Sequence, residues 1–157
     1  MNVDADLEAP VSPQRLFGWV DDLGRYPAWL DIVARAEPAE ALASDPGPAW
    51  VVDLRGRLGR LARSKRLRMV RSTLQPVGAG DGAAGQVRFE RREADARSHA
   101  PWVLIAEVVP TDAGSRLLMH LHYGGGLWGP VLERLLGDEI TKSRQRLLDC
   151  LEGEPAS

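Results

Sequence analysis

Few residues in this chain are of types and spacings that do chemistry, and each group is incomplete. His120 and His122 lie two residues apart. On a strand that spacing turns both imidazoles to one face, where they would supply two ligands of a zinc site that needs at least a third. His99 is the one other histidine, and no metal is expected. No G-x-S-x-G elbow is present. Cys150 falls near the end of a helical stretch with no base beside it to make a thiolate. Gly124, Gly126 and Gly129 match G-x-G-x-x-G. A dinucleotide-binding turn, however, needs a second parallel strand ending in an acidic residue about 20 residues further on. Past Gly129 the chain reads as one helix and a polar tail to residue 157. The glycines are instead expected to be a hinge where a strand turns sharply into a helix, with Pro130 in its first turn. No cofactor is implied.

Charged side chains offer more. Arg55, Arg57, Arg60, Arg63, Lys65, Arg66, Arg68 and Arg71 form one run with no acid among them, in a chain of net charge −2. Such a run is either an anion site or a solvated strand face whose charges pair with acids on neighbouring strands. No aromatic is interleaved to stack bases, so nucleic acid is not expected and the solvated face is preferred. Lys65 and Arg71 continue the face of Leu67 and Met69, and Arg91 and Glu93 continue the face of Val87 and Phe89. A charge turned to an interior needs a partner or a ligand. One reading is an Arg71–Glu93 or Arg91–Glu93 pair that positions a ligand carboxylate or carbonyl. The preferred one has bulges or strand ends carry these groups into water.

These residues need elements to position them. Val3, Ala5 and Leu7 alternate with acids and asparagine, the period of a half-buried strand. Ser12-Pro13 is a helix start, with Ser as N-cap and Pro in the first turn. Leu16, Phe17, Val20 and Leu23 continue it at helical spacing to Gly24, and Tyr26-Pro-Ala-Trp29 starts a second short helix. A strand over 32–37 is closed by Pro38, and the Ala-, Pro- and Gly-rich stretch 39–48 is a loop. Alternation then predicts strands over 49–56, 64–73, 86–93, 101–109 and 117–123. Pro76, Gly78, Gly80, Gly82 and Gly85 mark a flexible loop, and Thr111-Asp-Ala-Gly114 a turn. From Trp128 the period becomes helical to about Leu151. Strands joined by turns predict an antiparallel sheet, and only the long last helix is large enough to cover its apolar face.

That order carries a resemblance. "APVSPQRLFGWVDDLGRYPAWL", "RFERREADARSHAPWVLIAEV" and "LHYGGGLWGPVLERLL" are similar to the opening, later strands and final helix of the SRPBCC (START-like) superfamily. That superfamily includes polyketide cyclases and aromatases, birch-pollen-type plant allergens and lipid-transfer domains. The resemblance spans nearly the whole chain and implies an α+β helix-grip fold. In that fold a curved antiparallel sheet of about seven strands wraps a long C-terminal helix, and two short helices follow the first strand. It also implies a cavity between sheet and helix. The superfamily has no common catalytic set, so no catalytic residue is carried over.

Strand parity supplies the cavity's expected lining. Trp50, Val52 and Leu54, then Leu67 and Met69, then Val87 and Phe89 share the inward face. So do Trp102, Leu104, Met119, Leu121 and Tyr123. Tyr26, Trp29, Trp128, Leu132 and Leu135 are placed at the mouth or roof, and Arg71 and Arg91 at the polar margin. Large rings can also fill such a space, and four of the five tryptophans fall in or beside it.

At 157 residues with 44% apolar composition the chain suits one domain, expected over 1–152, with a polar tail at 153–157. No stretch reaches the roughly 18 apolar residues of a membrane span, and the acidic N-terminus lacks an apolar signal core. A cytoplasmic protein, monomer or homodimer, is expected, with no membrane insertion. Its expected partner is a small lipid-, polyketide- or isoprenoid-like molecule, held by a carrier or binding protein. The alternatives are a cyclase- or aromatase-like enzyme, with Tyr123, Arg71, Arg91 or Glu93 polarising carbonyls or moving protons, and an interaction module using 55–71.

Overall fold

In the computed structural model, residues 2–58, 61–78, 84–124 and 129–154 are described, with backbone alone at 57, 58, 61, 63, 129–138 and 140. Seven strands form one sheet: β1 (Asn2–Ala9), β2 (Val33–Ala39), β3 (Ala49–Leu58), β4 (Leu61–Gln75), β5 (Gly85–Arg91), β6 (Trp102–Thr111) and β7 (Gly114–Tyr123). Their order is β1-β7-β6-β5-β4-β3-β2, antiparallel at every pairing. The two edge strands are therefore consecutive in sequence. The chain between them carries helix α1 (Pro13–Phe17), which packs against β6 and β7, and a 3-10 helix (Leu23–Ala28), which packs against β2. Helix α2 (Gly129–Gly153) follows the last strand.

Alternation does what the sequence predicts. On β1 Asp4, Asp6 and Glu8 are exposed while Leu7 and Ala9 are buried. Leu16, Val20, Tyr26, Val87, Phe89, Ala106 and Val108 are wholly buried in one core. The C-terminal half of α2 turns Ser143, Leu147 and Leu151 into it. Polar side chains pin that half in place. Arg15 donates to the Leu151 carbonyl at 2.6 Å, Arg144 donates to the Asp6 carbonyl at 2.9 Å, and Arg25 pairs with Glu154 at 3.1 Å.

Two local expectations change. The first helix stops at Phe17 rather than running to Gly24. Gly18 favours helix weakly, and its carbonyl accepts from Arg25 at 2.9 Å instead of from a further helical turn. Asp22 then caps a new start, accepting from the Gly24 amide at 2.8 Å, so Gly24 lies inside the 3-10 helix. Strand β2 runs through Pro38 to Ala39. It is an edge strand paired with β3 alone, and an edge tolerates a residue without an N–H.

The hinge expectation falls partly on described residues. The Gly124 amide donates to the Pro101 carbonyl at 2.9 Å, and a Cβ on Gly124 would come within 2.8 Å of the proline ring. Close backbone approach is why glycine stands there. Gly126 lies outside the described residues, and α2 begins at Gly129.

Candidate functional site: the concave face of the sheet

Register brings the inward residues of five elements to one place. Val52 faces Leu67 and Trp50 faces Met69 across β3 and β4. Leu104 faces Leu121, and Trp102 faces Tyr123, across β6 and β7. Together with Leu23, Tyr26, Leu30, Ile32, Val33 and Leu54, the residues Val52, Leu67, Met69, Trp102, Leu104 and Leu121 line an apolar cavity of about 90 Å³. A second cavity, of about 60 Å³, lies between β1, β7 and α2, lined by Ala5, Leu7, Trp29, Leu117, Met119, Ser143 and Leu147 among others. Leu30 belongs to both walls.

The rest of the concave face is filled by rings. Phe89 meets Trp50 edge-on at 5.7 Å and Tyr26 edge-on at 6.2 Å, and Tyr26 packs on Trp29 at 4.8 Å. Trp50 and Phe89, expected in the cavity lining, serve here as packed core and do not border the 90 Å³ space. Two polar atoms of this aromatic block have carbonyl partners. Tyr26 Oη donates to the Val20 carbonyl at 2.9 Å, and Trp29 Nε1 donates to the Trp19 carbonyl at 3.2 Å. Burial pushes the Tyr26 phenol well above its ordinary pKa, so it stays neutral.

At the other end the accounting differs. Trp102 is 4% exposed and stacks on Tyr123 with ring centroids 5.2 Å apart. Among the described residues its indole N–H is buried without an acceptor, and Ser143 Oγ, in the wall of the second cavity, is buried without a partner. The Lys65 ammonium lies 5.8 Å from the Trp102 ring centroid. Among the described residues no carboxylate forms a salt bridge with it. Desolvation first, and the Arg91 charge second, hold its pKa below the ordinary lysine value.

Arg91 and Glu93 complete that corner. Arg91 Nε donates to Glu93 Oε1 at 2.8 Å, with the two side chains 10% and 20% exposed. Arg91 also donates to the Ala100 carbonyl at 3.3 Å and approaches His99 Nδ1 at 3.4 Å. Glu93 accepts from the Arg68 amide as well. The preferred expectation, that strand ends would carry these charges into water, is corrected: the Arg91–Glu93 pair forms and is largely sheltered. Arg71 lies opposite Phe89 in the register, just before a bulge at Ser72, and donates to the Asp21 carbonyl at 3.1 Å. It sits apart from the Arg91–Glu93 pair.

Trp128 lies outside the described residues, as do the side chains of Leu132 and Leu135. Of the basic run, Arg66 pairs with Asp53 on the neighbouring strand at 2.6 Å, as a solvated face predicts. Arg68 does not fit that description. It is 8% exposed, held by both Asp45 oxygens and by the Glu40 and Arg92 carbonyls. The loop 39–48 folds over that side of β4, which sequence alternation had no means to report. Sequence reading also missed Leu23, Leu30, Ile32 and Val33. Leu23 lies in the 3-10 helix, Leu30 and Ile32 in the turn after it and Val33 at the start of β2, where no simple period marks an inward face.

A wider concavity of about 400 Å³ lies on the outer side of β1, β7 and β6, with Asp4, Asp6, Glu107, Arg116 and His120 in its lining. Its polar groups answer one another: Arg116 pairs with Asp6 at 3.0 Å and His120 Nδ1 with Asp4. His122 pairs with Asn2 at 2.8 Å. Among the described residues no three His, Cys, Asp or Glu converge as a metal site. Cys150 points its thiol at the Ala28 carbonyl, and burial raises its pKa.

A concave antiparallel sheet closed by two short helices and one long one is the START-like helix-grip fold. Solved structures agree over nearly the full chain. A START superfamily protein from Mycobacterium smegmatis superposes with TM-score 0.64 at 15% identity, covering 96% of this chain and 97% of that one. A protein from Chromobacterium violaceum gives 0.65 at 15%, with 98% of each chain covered. The di-domain ARO/CYC StfQ of the steffimycin biosynthetic pathway gives 0.63 at 13%, covering 96% of this chain and 50% of StfQ. No family model and no curated protein matches the sequence. Among the described residues no helix is long and apolar enough to cross a membrane.

Proposed function

We propose that this protein binds a small apolar molecule between the sheet and its helical cover, as a cytoplasmic carrier or binding protein. The supporting observation is the 90 Å³ cavity, whose wall is apolar. Its volume is below the roughly 300–1,000 Å³ of sites for drug-sized ligands. A short chain or a single ring fits the space as it stands.

The alternative, a cyclase- or aromatase-like reaction, needs at least two ionisable groups converging on bound substrate. Arg71, Arg91 and Glu93 direct their hydrogen bonds to protein atoms instead, and none of them borders the cavity. That favours binding without chemistry. A third use, docking through the basic run, has less to offer, because Arg66 and Arg68 are already paired.

Titration with 1-hexanol, followed by the five tryptophan indole N–H signals in a nitrogen–proton correlation spectrum, tests the proposal. The Trp102 signal is expected to shift and saturate. Leu121→Trp, which fills the cavity, is expected to abolish the shift while circular dichroism stays unchanged. A Trp102 signal that ignores hexanol, or binding that survives in Leu121→Trp, overturns it.

A further inference from the structure

The two interior spaces lie end to end along one strand. Leu117, Met119 and Leu121 are alternate residues of β7, so they share a face. Leu117 and Met119 are wall of the 60 Å³ space, and Leu121 is wall of the 90 Å³ cavity. Two residues of strand cover about 7 Å. One apolar row therefore passes under both spaces.

What divides them is the chain at the end of the 3-10 helix. Tyr26 borders the larger space, Trp29 the smaller, and Leu30 both. The Leu30 backbone is fixed on both sides. Its amide donates to the Tyr26 carbonyl at 2.8 Å, and its carbonyl accepts from the Val33 amide at 3.0 Å. Its side chain is only partly buried and can change rotamer without moving that backbone. Asp6 and Arg144 also border the smaller space, with side chains 47% and 43% exposed. That part of its wall reaches water.

Resting on the binding function proposed above, we infer that the two spaces are halves of one site, that the Leu30 side chain is the gate between them, and that the ligand is a flexible unbranched chain rather than a compact ring system. The chain lies along the row of Leu117, Met119 and Leu121. Its apolar end fills the larger cavity, and its length passes Leu30 so that a polar end emerges beside Asp6 and Arg144. The wall of the larger cavity is apolar. A ligand confined to it would bury its own polar end there, which is unfavourable. A rigid fused ring cannot thread past a leucine whose backbone stays in place.

Trp102 borders the larger space and not the smaller, and Trp29 the reverse, so their indole N–H signals report the two halves separately. In titrations 1-hexanol is expected to shift Trp102 and leave Trp29 in place. Octanol and decanol, the longer 1-alkanols, are expected to shift both, with affinity rising about fourfold for each added methylene. Naphthol, a fused ring with the carbon count of decanol, is expected to shift Trp102 alone and to bind more weakly than decanol. Ala5 is wall of the smaller space and not of the larger. Ala5→Leu should therefore leave hexanol binding unchanged and cut decanol to about the affinity of hexanol. Leu30→Ala, which opens the gate, should let hexanol shift Trp29 as well. The two-part site is overturned, with the larger apolar site left standing, by any of four results: decanol that leaves Trp29 in place, a decanol advantage that survives Ala5→Leu, hexanol that still ignores Trp29 in Leu30→Ala, or naphthol that matches decanol. Failure of every probe to shift Trp102 removes both.

Discussion

The two ends of the concave face treat polar groups in opposite ways. Around Phe89 the rings of Trp50, Tyr26 and Trp29 fill the space, and the Tyr26 hydroxyl and Trp29 N–H each reach a carbonyl. Around Trp102 there is open volume and, among the described residues, an indole N–H without an acceptor and a lysine without a salt-bridged carboxylate. The same contrast appears on β4 itself. Arg68 has two carboxylate oxygens and two carbonyls, whereas Lys65, three residues earlier and on the other face, has among the described residues a ring and no salt bridge. A region optimised for stability closes its hydrogen bonds and its voids. One that leaves both open is suited to a molecule that completes it.

Four substitutions sharpen or break that contrast. Phe89→Ala removes the centre of the filled end and is expected to cost about 3–5 kcal/mol by urea denaturation. A loss under about 1 kcal/mol would mean that the aromatic block is not the stabilising half. Asp45→Ala leaves the Arg68 guanidinium sheltered without its countercharge, at a cost of about 3 kcal/mol. Its acid limb changes too. Arg68 and the Leu42 amide hold the Asp45 carboxyl down at about 2, from an ordinary 3.8. A depressed carboxylate contributes stability above its unfolded value and loses it as pH falls through the folded one. The parent should therefore lose that contribution between about pH 4 and pH 2, and Asp45→Ala should lack this step.

The smallest effect is the most diagnostic. Trp29→Phe breaks a made hydrogen bond and is expected to cost about 1–2 kcal/mol. Trp102→Phe removes a donor that has no acceptor among the described residues, so its cost is expected to stay under about 1 kcal/mol. Equal losses at the two tryptophans would end the distinction between a closed end and an open one.

Much of this was legible in the chain. Alternation placed Trp50, Leu67, Phe89, Trp102 and Tyr123 on the inward face, because a strand's side chains repeat every two residues whatever its neighbours. The same rule turned Lys65, Arg71 and Arg91 inward, although water had seemed the better place for them. The wall from Leu23 to Val33 was not legible. It is built from a 3-10 helix, a turn and the first residue of β2, whose inward residues follow capping by Asp22 and the Gly18 break rather than any period.

The sequence by itself determined the element order, the antiparallel pairing and the face on which each strand residue lies, since these follow from local periodicity and short connections. Only the tertiary structure decided which inward residues became solid core and which became cavity wall. It alone matched Arg91 with Glu93 and Arg68 with Asp45, and left Lys65 and the Trp102 N–H unmatched among the described residues. Those outcomes depend on distances between segments far apart in the chain, set by register, a bulge and the seat of two short helices. No local pattern encodes them.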